Sequence, residues 1–272
     1  MPTSAKRKTI GVFVSQVGRA WGAEFLAGIA DAGEENDVNI LYFVGGTLKL
    51  FVQPKPSFGF YDLAHTDQLD GLIVTADTAF GVSAEDLKIF REMFGELPLV
   101  TQSVRLDNAS MFIPDNTEGM RSLVRHLIEE HGYKRIAFLR GIRGQIDAEQ
   151  RFEAYKEELK ARGIRFDERL VVDGDYSTDG GREGIQVLLD ERKVQFEALV
   201  AANDRMAFGA LEILQQRGIR VPDEIAVAGF DDLREAQSTG VSLTTVRQSF
   251  YTAGRQAFEA LINRIDGNTI QK

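Results

Sequence analysis

The sequence contains no cysteine, one tryptophan, three histidines and six prolines in 272 residues. Without cysteine, a disulfide-stapled secreted module and a thiolate metal site are both excluded. The phosphate-binding spacing GxxxxGK[ST], the dinucleotide fingerprint GxGxxG, the nucleophile elbow GxSxG and the zinc motif HExxH are absent as well. Paired carboxylates such as Asp231 and Asp232 keep acid–base chemistry open. We nevertheless predict a protein that is not an enzyme and that holds no cofactor and no metal.

Long apolar runs are missing too. No stretch approaches the roughly 20 residues of a membrane-spanning helix, and the first apolar run, residues 10–14, is too short for an export signal. The 32 basic and 41 acidic side chains give a formal net charge of −9, whereas phosphate contacts need clustered Lys and Arg. We therefore expect a soluble, cytoplasmic chain that contacts neither membrane nor DNA by itself.

What the sequence does contain is an alternation of two periodicities. Short apolar runs bounded by Gly, Pro or charge are typical of strands covered on both faces, and between them apolar residues recur at helical spacing. This alternation predicts parallel sheets with crossover helices, and there are too many units for one small sheet, so we predict an α/β fold of two doubly wound lobes. The strand runs are 10–14, 40–44, 72–74, 97–100, 136–139, 198–202 and 225–228, and the helical stripes are 120–128, 152–159, 207–214 and 258–265. Residues 45–61, rich in Pro and aromatics, are predicted to form an ordered loop.

Polar residues follow three apolar runs: Asp115-Asn116 after residues 111–114, Asn203-Asp204 after 198–202, and Asp231-Asp232 after 225–230. Each pair alone is explained by helix N-capping. In open parallel sheets, however, ligands bind at the carboxyl edge, where strand ends and helix N-termini meet. Together the pairs predict an acceptor-rich rim suited to a polyhydroxylated ligand.

Two of the three histidines, His126 and His131, fall five residues apart at the end of a helical stripe. Residues at that spacing lie on different faces of a continuous helix. We therefore predict a solvated or capping role for them and no metal ligation.

Five blocks of the sequence, in order and with matching spacing, resemble the lactose/galactose repressor (LacI/GalR) family across residues 8–266. The blocks are AANDRMAFGA at 201–210, VPDEIAVAGFDD at 221–232, SLTTVRQ at 242–248, DN at 115–116 leading to HGYKRIA at 131–137, and RFEAY at 151–155. The resemblance implies the effector-binding core of these regulators, with the type I periplasmic-binding-protein fold. It implies an N-terminal lobe of residues 1–133 plus 248–272 and a C-terminal lobe of residues 134–247, joined by crossover strands and closing on a small-molecule effector.

The resemblance also implies the ligand contacts. Arg19, Trp21 and Phe25 fall in the first loop, where Trp21 is expected to stack on the effector. The planar fork of Arg151 suits vicinal hydroxyls or a carboxylate, although a surface ion pair with nearby glutamates is the simpler alternative. The other implied contacts are Asp115, Asn116, Asp147, Tyr176, Asn203, Asp231 and Gln248.

Members of the family act as homodimers, and their repressors begin with a helix-turn-helix headpiece that this sequence does not contain. DNA binding is therefore expected only through a segment outside these residues. The segment 45–74 departs from the family pattern and resembles input sensor domains of sensor histidine kinases and diguanylate cyclases, which is the alternative interpretation. A periplasmic transport receptor would require an export signal. The sequence leaves the effector open between a sugar and a nucleoside-like molecule.

Overall fold

The computed structural model describes residues 6–18, 20–48, 60–64, 67–233 and 242–268. Its regular elements, in chain order, are β1 (Thr9–Val14), α1 (Ala20–Glu35), β2 (Asn39–Val44), β3 (Gly71–Val74), α2 (Ala84–Met93), β4 (Leu99–Gln102), β5 (Ser110–Phe112), α3 (Asn116–Glu129), β6 (Ile136–Arg140), α4 (Ile146–Ala161), β7 (Val171–Asp173), α5 (Thr178–Gln186), β8 (Ala198–Ala201), α6 (Asp204–Gln216), β9 (Ala226–Ala228) and α7 (Phe250–Ile265). They fall into two compact units: unit 1, residues 1–113 with 249–272, and unit 2, residues 114–248.

Unit 1 contains a five-stranded parallel sheet in the order β2-β1-β3-β4-β5. The ring of Phe13 on β1 stacks on Tyr61 at 4.4 Å between centroids and meets the edges or faces of Phe43, Phe90 and Phe94. These rings fill one side of the sheet with large apolar surface.

Helices α1 and α7 pack closely in unit 1 because each presents a glycine to the other. A Cβ at Gly28 would lie 2.1 Å from the carbonyl oxygen of Tyr251, and one at Gly254 would lie 2.1 Å from that of Phe25. Only a residue without a side chain allows the two backbones to approach so closely. The two segments of unit 1 also meet near their ends, where the Lys8 ammonium pairs with Asp266.

Unit 2 contains a four-stranded parallel sheet in the order β7-β6-β8-β9. On one face Phe138 of β6 stacks on Tyr155 of α4, with 4.7 Å between ring centroids. Helices α5 and α6 meet through Gly181 and Gly209, each of which faces a backbone carbonyl of the other helix. The apolar strand runs predicted in this unit are buried as expected, whereas the predicted run 40–44 is only partly buried because β2 is the edge strand of the sheet in unit 1.

The predicted fold class, α/β with two parallel sheets, is confirmed, and the four predicted helical stripes lie in α3, α4, α6 and α7. The expected first boundary, at residue 133, differs from the observed one, after residue 113. The reason is α3, whose apolar residues Met120, Val124 and Leu127 share one core with Ile136 and the rest of unit 2. The second boundary, expected before residue 248, lies after it.

Beyond the predicted runs and stripes, the structure contains helices α1, α2 and α5, strands β5 and β7, and a short turn. The strands β5 and β7 have three residues each and are only partly buried, so they lack a continuous apolar run. Within the predicted loop 45–61, a short 3-10 turn spans Phe60–Leu63, while residues 49–59 lie outside the described ranges. Among the residues described, no helix is both long and apolar enough to cross a bilayer.

Candidate functional site

The carboxyl ends of β6, β8 and β9 meet at one edge of unit 2, and α3, α4 and α6 begin near that edge. Polar side chains reach it from helix starts and from the turns that follow the strands. Because parallel strands and their crossover helices share this polarity, the sequence brings together residues far apart in the chain.

Arg151 of α4 lies at the centre of this edge and is only 4% exposed. Its Nε donates to Asn116 Oδ1 at 2.8 Å, and its Nη1 donates to the carbonyl oxygen of Ala202 at 2.6 Å. The guanidinium also lies over the Phe230 ring, 4.0 Å from the centroid. Three contacts from three different segments therefore fix a planar donor group, which excludes the surface ion pair considered from the sequence.

Asn116, the first residue of α3, couples Arg151 to the start of α4. It is 1% exposed, and its Nδ2 donates to Asp147 Oδ1 at 2.8 Å and to Gln150 Oε1 at 2.9 Å. Both polar side-chain atoms of Asn116 are thus satisfied, as buried polar groups must be. Gln150 was not predicted; its position three residues after Asp147, on the same face of α4, is the signal that could have identified it.

Asp231 follows β9 with a positive φ of 129°. Its backbone N–H donates to the carbonyl of Val246 at 2.8 Å, and Gln248 Nε2 donates to its Oδ1 at 2.6 Å. Arg151 Nη1 lies 3.8 Å from the same oxygen. Burial raises the pKa of Asp231 to about 7, with Asp204 adding to the rise while Arg151 and the Gln248 hydrogen bond oppose it.

Asp204 holds the turn on which Asp231 lies. It is fully buried and accepts hydrogen bonds from Leu233 N at 2.8 Å and Thr245 Oγ1 at 2.6 Å. Burial raises the pKa of its carboxyl, and the two hydrogen bonds counter that rise. The sequence suggested only a cap or rim role for Asp204, and the bond to Thr245 was not predicted because the two residues are far apart in the chain.

Asn203 and Tyr176 form the other side of the edge. Asn203 Oδ1 accepts from Met206 N at 3.0 Å, as an N-cap, while its Nδ2 donates to the Tyr176 carbonyl at 3.1 Å. Tyr176 has a positive φ of 65°, and its ring lies against Gly141, where a Cβ would be 2.2 Å from Cζ. Burial raises the pKa of the phenol, and its Oη is a buried atom with no hydrogen-bond partner among the described residues.

Seven of the eleven predicted contacts therefore lie at this edge: Asn116, Asp147, Arg151, Tyr176, Asn203, Asp231 and Gln248. Asp115 is an exposed N-cap that accepts from Glu118 N at 3.0 Å, the alternative weighed for it above.

The other three predicted contacts belong to unit 1. Trp21 was expected in a loop, but it lies in the first turn of α1, 6.2 Å from the ring of Phe250, since that helix begins at Ala20. Phe25 was expected to face the ligand, but its side chain has no exposed surface and belongs to the core. Arg19 lies outside the described residues.

The carboxyl edge of unit 1 carries a polar cluster that the sequence did not reveal. Asp77 is 3% exposed, and its carboxylate accepts hydrogen bonds from the hydroxyls of Ser15 and Thr75. These residues end β1 and follow β3, which are neighbours in the sheet but distant in sequence. No group of three or more metal-ligating side chains occurs in the part of the chain that the structure describes.

The fold and the polar edge define a protein of the two-unit, parallel-sheet α/β class. Residues 124–272 match the family described as the periplasmic binding protein-like domain. The chain belongs to this family, in the form found in LacI-type transcription regulators.

Curated relatives agree with this assignment. The chain is 37% identical over 157 residues to the HTH-type transcriptional regulator CelR of Thermobifida fusca, covering 58% of this chain and 46% of that protein. It is 38% identical over 136 residues to the HTH-type regulator AscG of Escherichia coli, covering 50% and 40%. The aligned segments thus span less than half the length of these two relatives. The ribose operon repressor of Haemophilus influenzae is 29% identical over 262 residues, which cover 95% of this chain and 74% of the repressor.

Solved structures show the same fold. A complex of the regulator CelR with cellobiose superposes with a TM-score of 0.80 at 28% identity, covering 97% of this chain and 80% of that one. A LacI-family regulator from Burkhoderia phymatum gives 0.80 at 26% identity, covering 97% and 93%. The lac repressor dimer bound to operator gives 0.82 at 22% identity, covering 98% and 89%, which supports the fold alone.

Proposed function

We propose that the carboxyl edge of unit 2 binds a neutral, polyhydroxylated small molecule, and that the chain is the effector-binding part of a LacI-type transcription regulator. The observation that carries this proposal is the fixation of buried Arg151 by Asn116 and the Ala202 carbonyl, next to the carboxyl of Asp231. A preorganised donor beside carboxyl acceptors suits adjacent sugar hydroxyls, each of which both donates and accepts. The complex of the related CelR with cellobiose supports this ligand class.

The charge balance of the edge favours a neutral ligand over a phosphorylated one. Two guanidiniums lie at this edge: Arg140, which is paired with Glu149 and Asp173, and Arg151, which lies among the carboxyls of Asp147, Asp204 and Asp231. A phosphate would meet repulsion from these carboxyls, whereas hydroxyl groups would be good donors to them. The pKa of about 7 lets Asp231 also donate when it is protonated.

The unpartnered hydroxyl of Tyr176 supports the same interpretation. A buried polar atom without a partner costs free energy, and a ligand oxygen at that point would remove the cost. We infer that Tyr176 presents its ring to the ligand and its Oη to a hydroxyl or ring oxygen.

The remaining parts of the proposal rest on the relatives. The chain would act as a homodimer, in the cytoplasm, without catalysis, and would reach DNA only through a headpiece outside these 272 residues. The relatives described above are transcription regulators, which favours this assignment over the sensor-kinase and cyclase alternative.

A thermal-shift screen of neutral sugars, nucleosides and sugar phosphates, followed by titration calorimetry, tests the proposal. We expect a neutral sugar to raise the melting temperature. We expect Arg151→Lys and Asp231→Asn each to weaken its binding more than tenfold. The lysine loses the planar fork of donors, and the asparagine replaces one acceptor oxygen by a donor. Arg220→Lys is the matched control, since that side chain is exposed and paired with Asp223 and Glu224.

The proposal predicts unchanged affinity in the Arg220 variant and circular dichroism spectra like those of the parent for all three variants. Two results would contradict it. One is an affinity for the neutral sugar in the Arg151 and Asp231 variants that equals that of the parent protein. The other is a larger rise in melting temperature with sugar phosphates than with neutral sugars.

A further inference from the structure

His126 and His131 lie in contact on the surface of unit 2, away from the edge that contains Arg151. Their Nε2 atoms are 3.3 Å apart, the ring centroids are 5.0 Å apart, and the ring planes are nearly perpendicular at 88°. The sequence predicted different helical faces for these two residues. That prediction is wrong because α3 ends at Glu129, so His131 is not on the helix.

The turn that ends α3 is what brings His131 back to the helix. Gly132 has a φ of 73°, a conformation that glycine adopts without steric cost. Its N–H donates to the carbonyl of Ile128 at 3.1 Å, and Tyr133 N donates to the carbonyl of Leu127 at 3.2 Å. The His131 ring also stacks on Tyr133, with 5.5 Å between centroids. Both imidazoles are therefore positioned by backbone and ring contacts.

The spacing of the two nitrogens matches shared coordination of one metal ion. Two imidazole nitrogens at about 2.0 Å from a tetrahedral Zn²⁺ stand roughly 3.3 Å apart, and the observed separation is 3.3 Å.

We propose that His126 and His131 form a two-imidazole site for a divalent ion that prefers nitrogen ligands, with Zn²⁺ as the reference ion, and with water in the remaining positions. Imidazole suits Zn²⁺, Ni²⁺ and Cu²⁺. The exposed carboxylates of Glu129 and Glu130 lie between the two histidines in sequence; Glu129 is paired with Arg162, so the two imidazoles are the proposed ligands. The site is separate from the proposed effector site and does not depend on it.

Zn²⁺ titration calorimetry on the full, untagged chain tests the site. We expect the parent protein to bind one Zn²⁺, and His126→Ala and His131→Ala each to weaken that binding at least tenfold. Both side chains are exposed, so neither change removes core packing. His65→Ala is the matched control because it removes the third histidine of the chain, and we expect it to bind Zn²⁺ as the parent does.

Electron paramagnetic resonance with one equivalent of Cu²⁺ gives a second measurement that reports ligand identity. Two equivalent imidazole nitrogens are expected in the parent and in the His65 variant, and one in each single variant of the pair. The site is overturned if the parent binds no Zn²⁺, or if the His126 and His131 variants bind it as tightly as the parent.

Discussion

Asp231 is a buried carboxyl with a pKa of about 7, and its protonation links folding to pH. An unfolded aspartate titrates at about 3.9, so between pH 4 and 7 the unfolded chain releases a proton that the folded chain retains. Folded protein then binds more protons than unfolded protein, and stability falls as pH rises through this window. Asp204, whose pKa is also raised, contributes with the same sign.

We predict that Asp231→Asn flattens this dependence. The free energy of unfolding of the parent should decrease by a few kcal/mol more than that of the variant between pH 4 and 7, and the two should run parallel above pH 8. Urea unfolding at a series of pH values measures the difference. Parallel profiles across the whole range would show that the carboxyl of Asp231 titrates normally.

Among single residues, the sequence allowed the identity of several edge residues to be predicted but not their contacts. Arg151 and Asp231 were identified through the family motifs, yet the bond from Arg151 to the Ala202 carbonyl joins residues 51 positions apart. Phe25 was misassigned because an apolar residue after the first strand suits a core and a ligand equally well. The direction of the Phe25 side chain on its helix decides between a core and a ligand-facing position, and this direction depends on where α1 begins.

Helix pairing in unit 1 depends on glycines that local propensity would disfavour. We predict that Gly28→Ala destabilises the protein by about 1–3 kcal/mol, because its Cβ would lie 2.1 Å from the backbone oxygen of Tyr251. Gly22→Ala in the same helix is the matched control. Its nearest heavy atom would be 4.0 Å away, so the helix should gain up to about 1 kcal/mol.

Differential scanning calorimetry of the two variants distinguishes the steric cost to helix packing at position 28 from the gain in helix stability at position 22. Melting temperatures should move in opposite directions relative to the parent. If Gly28→Ala raised the melting temperature as Gly22→Ala does, the close approach of α1 and α7 would not limit the choice of residue at position 28.

Strands with long apolar runs and helices with clear apolar stripes were predictable, whereas strands β5 and β7 and helices α1, α2 and α5 were not. Core strands such as β6 and β8 are uninterrupted apolar runs, so the sequence located them within one or two residues. The edge strands β5 and β7 are short and partly buried, so they lack an apolar run that would identify them. Hydrogen bonding to a neighbouring strand holds them in the sheet. The helix α3 was predicted, but its membership of unit 2 depends on packing with α4 that no local pattern encodes.

For the molecule as a whole, the two units differ in how the chain builds them. Unit 2 is one continuous segment, whereas unit 1 needs the returning helix α7. That helix buries Phe258 and Leu261, and Leu261 lies against Gly71 of β3. Burial of each such side chain contributes about 1.5–3 kcal/mol, which is a large share of the stability of a typical domain.

We predict that a fragment of residues 114–248 folds alone, whereas a fragment of residues 1–113 does not. Circular dichroism should show a cooperative thermal transition for the first fragment and none for the second. Adding a peptide of residues 249–268 should restore helical signal to the second fragment. A cooperative transition in residues 1–113 without the peptide would show that α7 is dispensable.

The pairing of Lys8 with Asp266 has a mechanical consequence. Both ends of the described chain belong to unit 1, and unit 2 is inserted between them in the sequence. Force applied at the two ends therefore acts first on unit 1. Pulling on the two ends would load the Lys8–Asp266 pair and the packing of α7 within unit 1 before any strand of unit 2 bears force. Unit 2, with the edge that contains Arg151, is therefore shielded from strain that reaches the molecule through its ends.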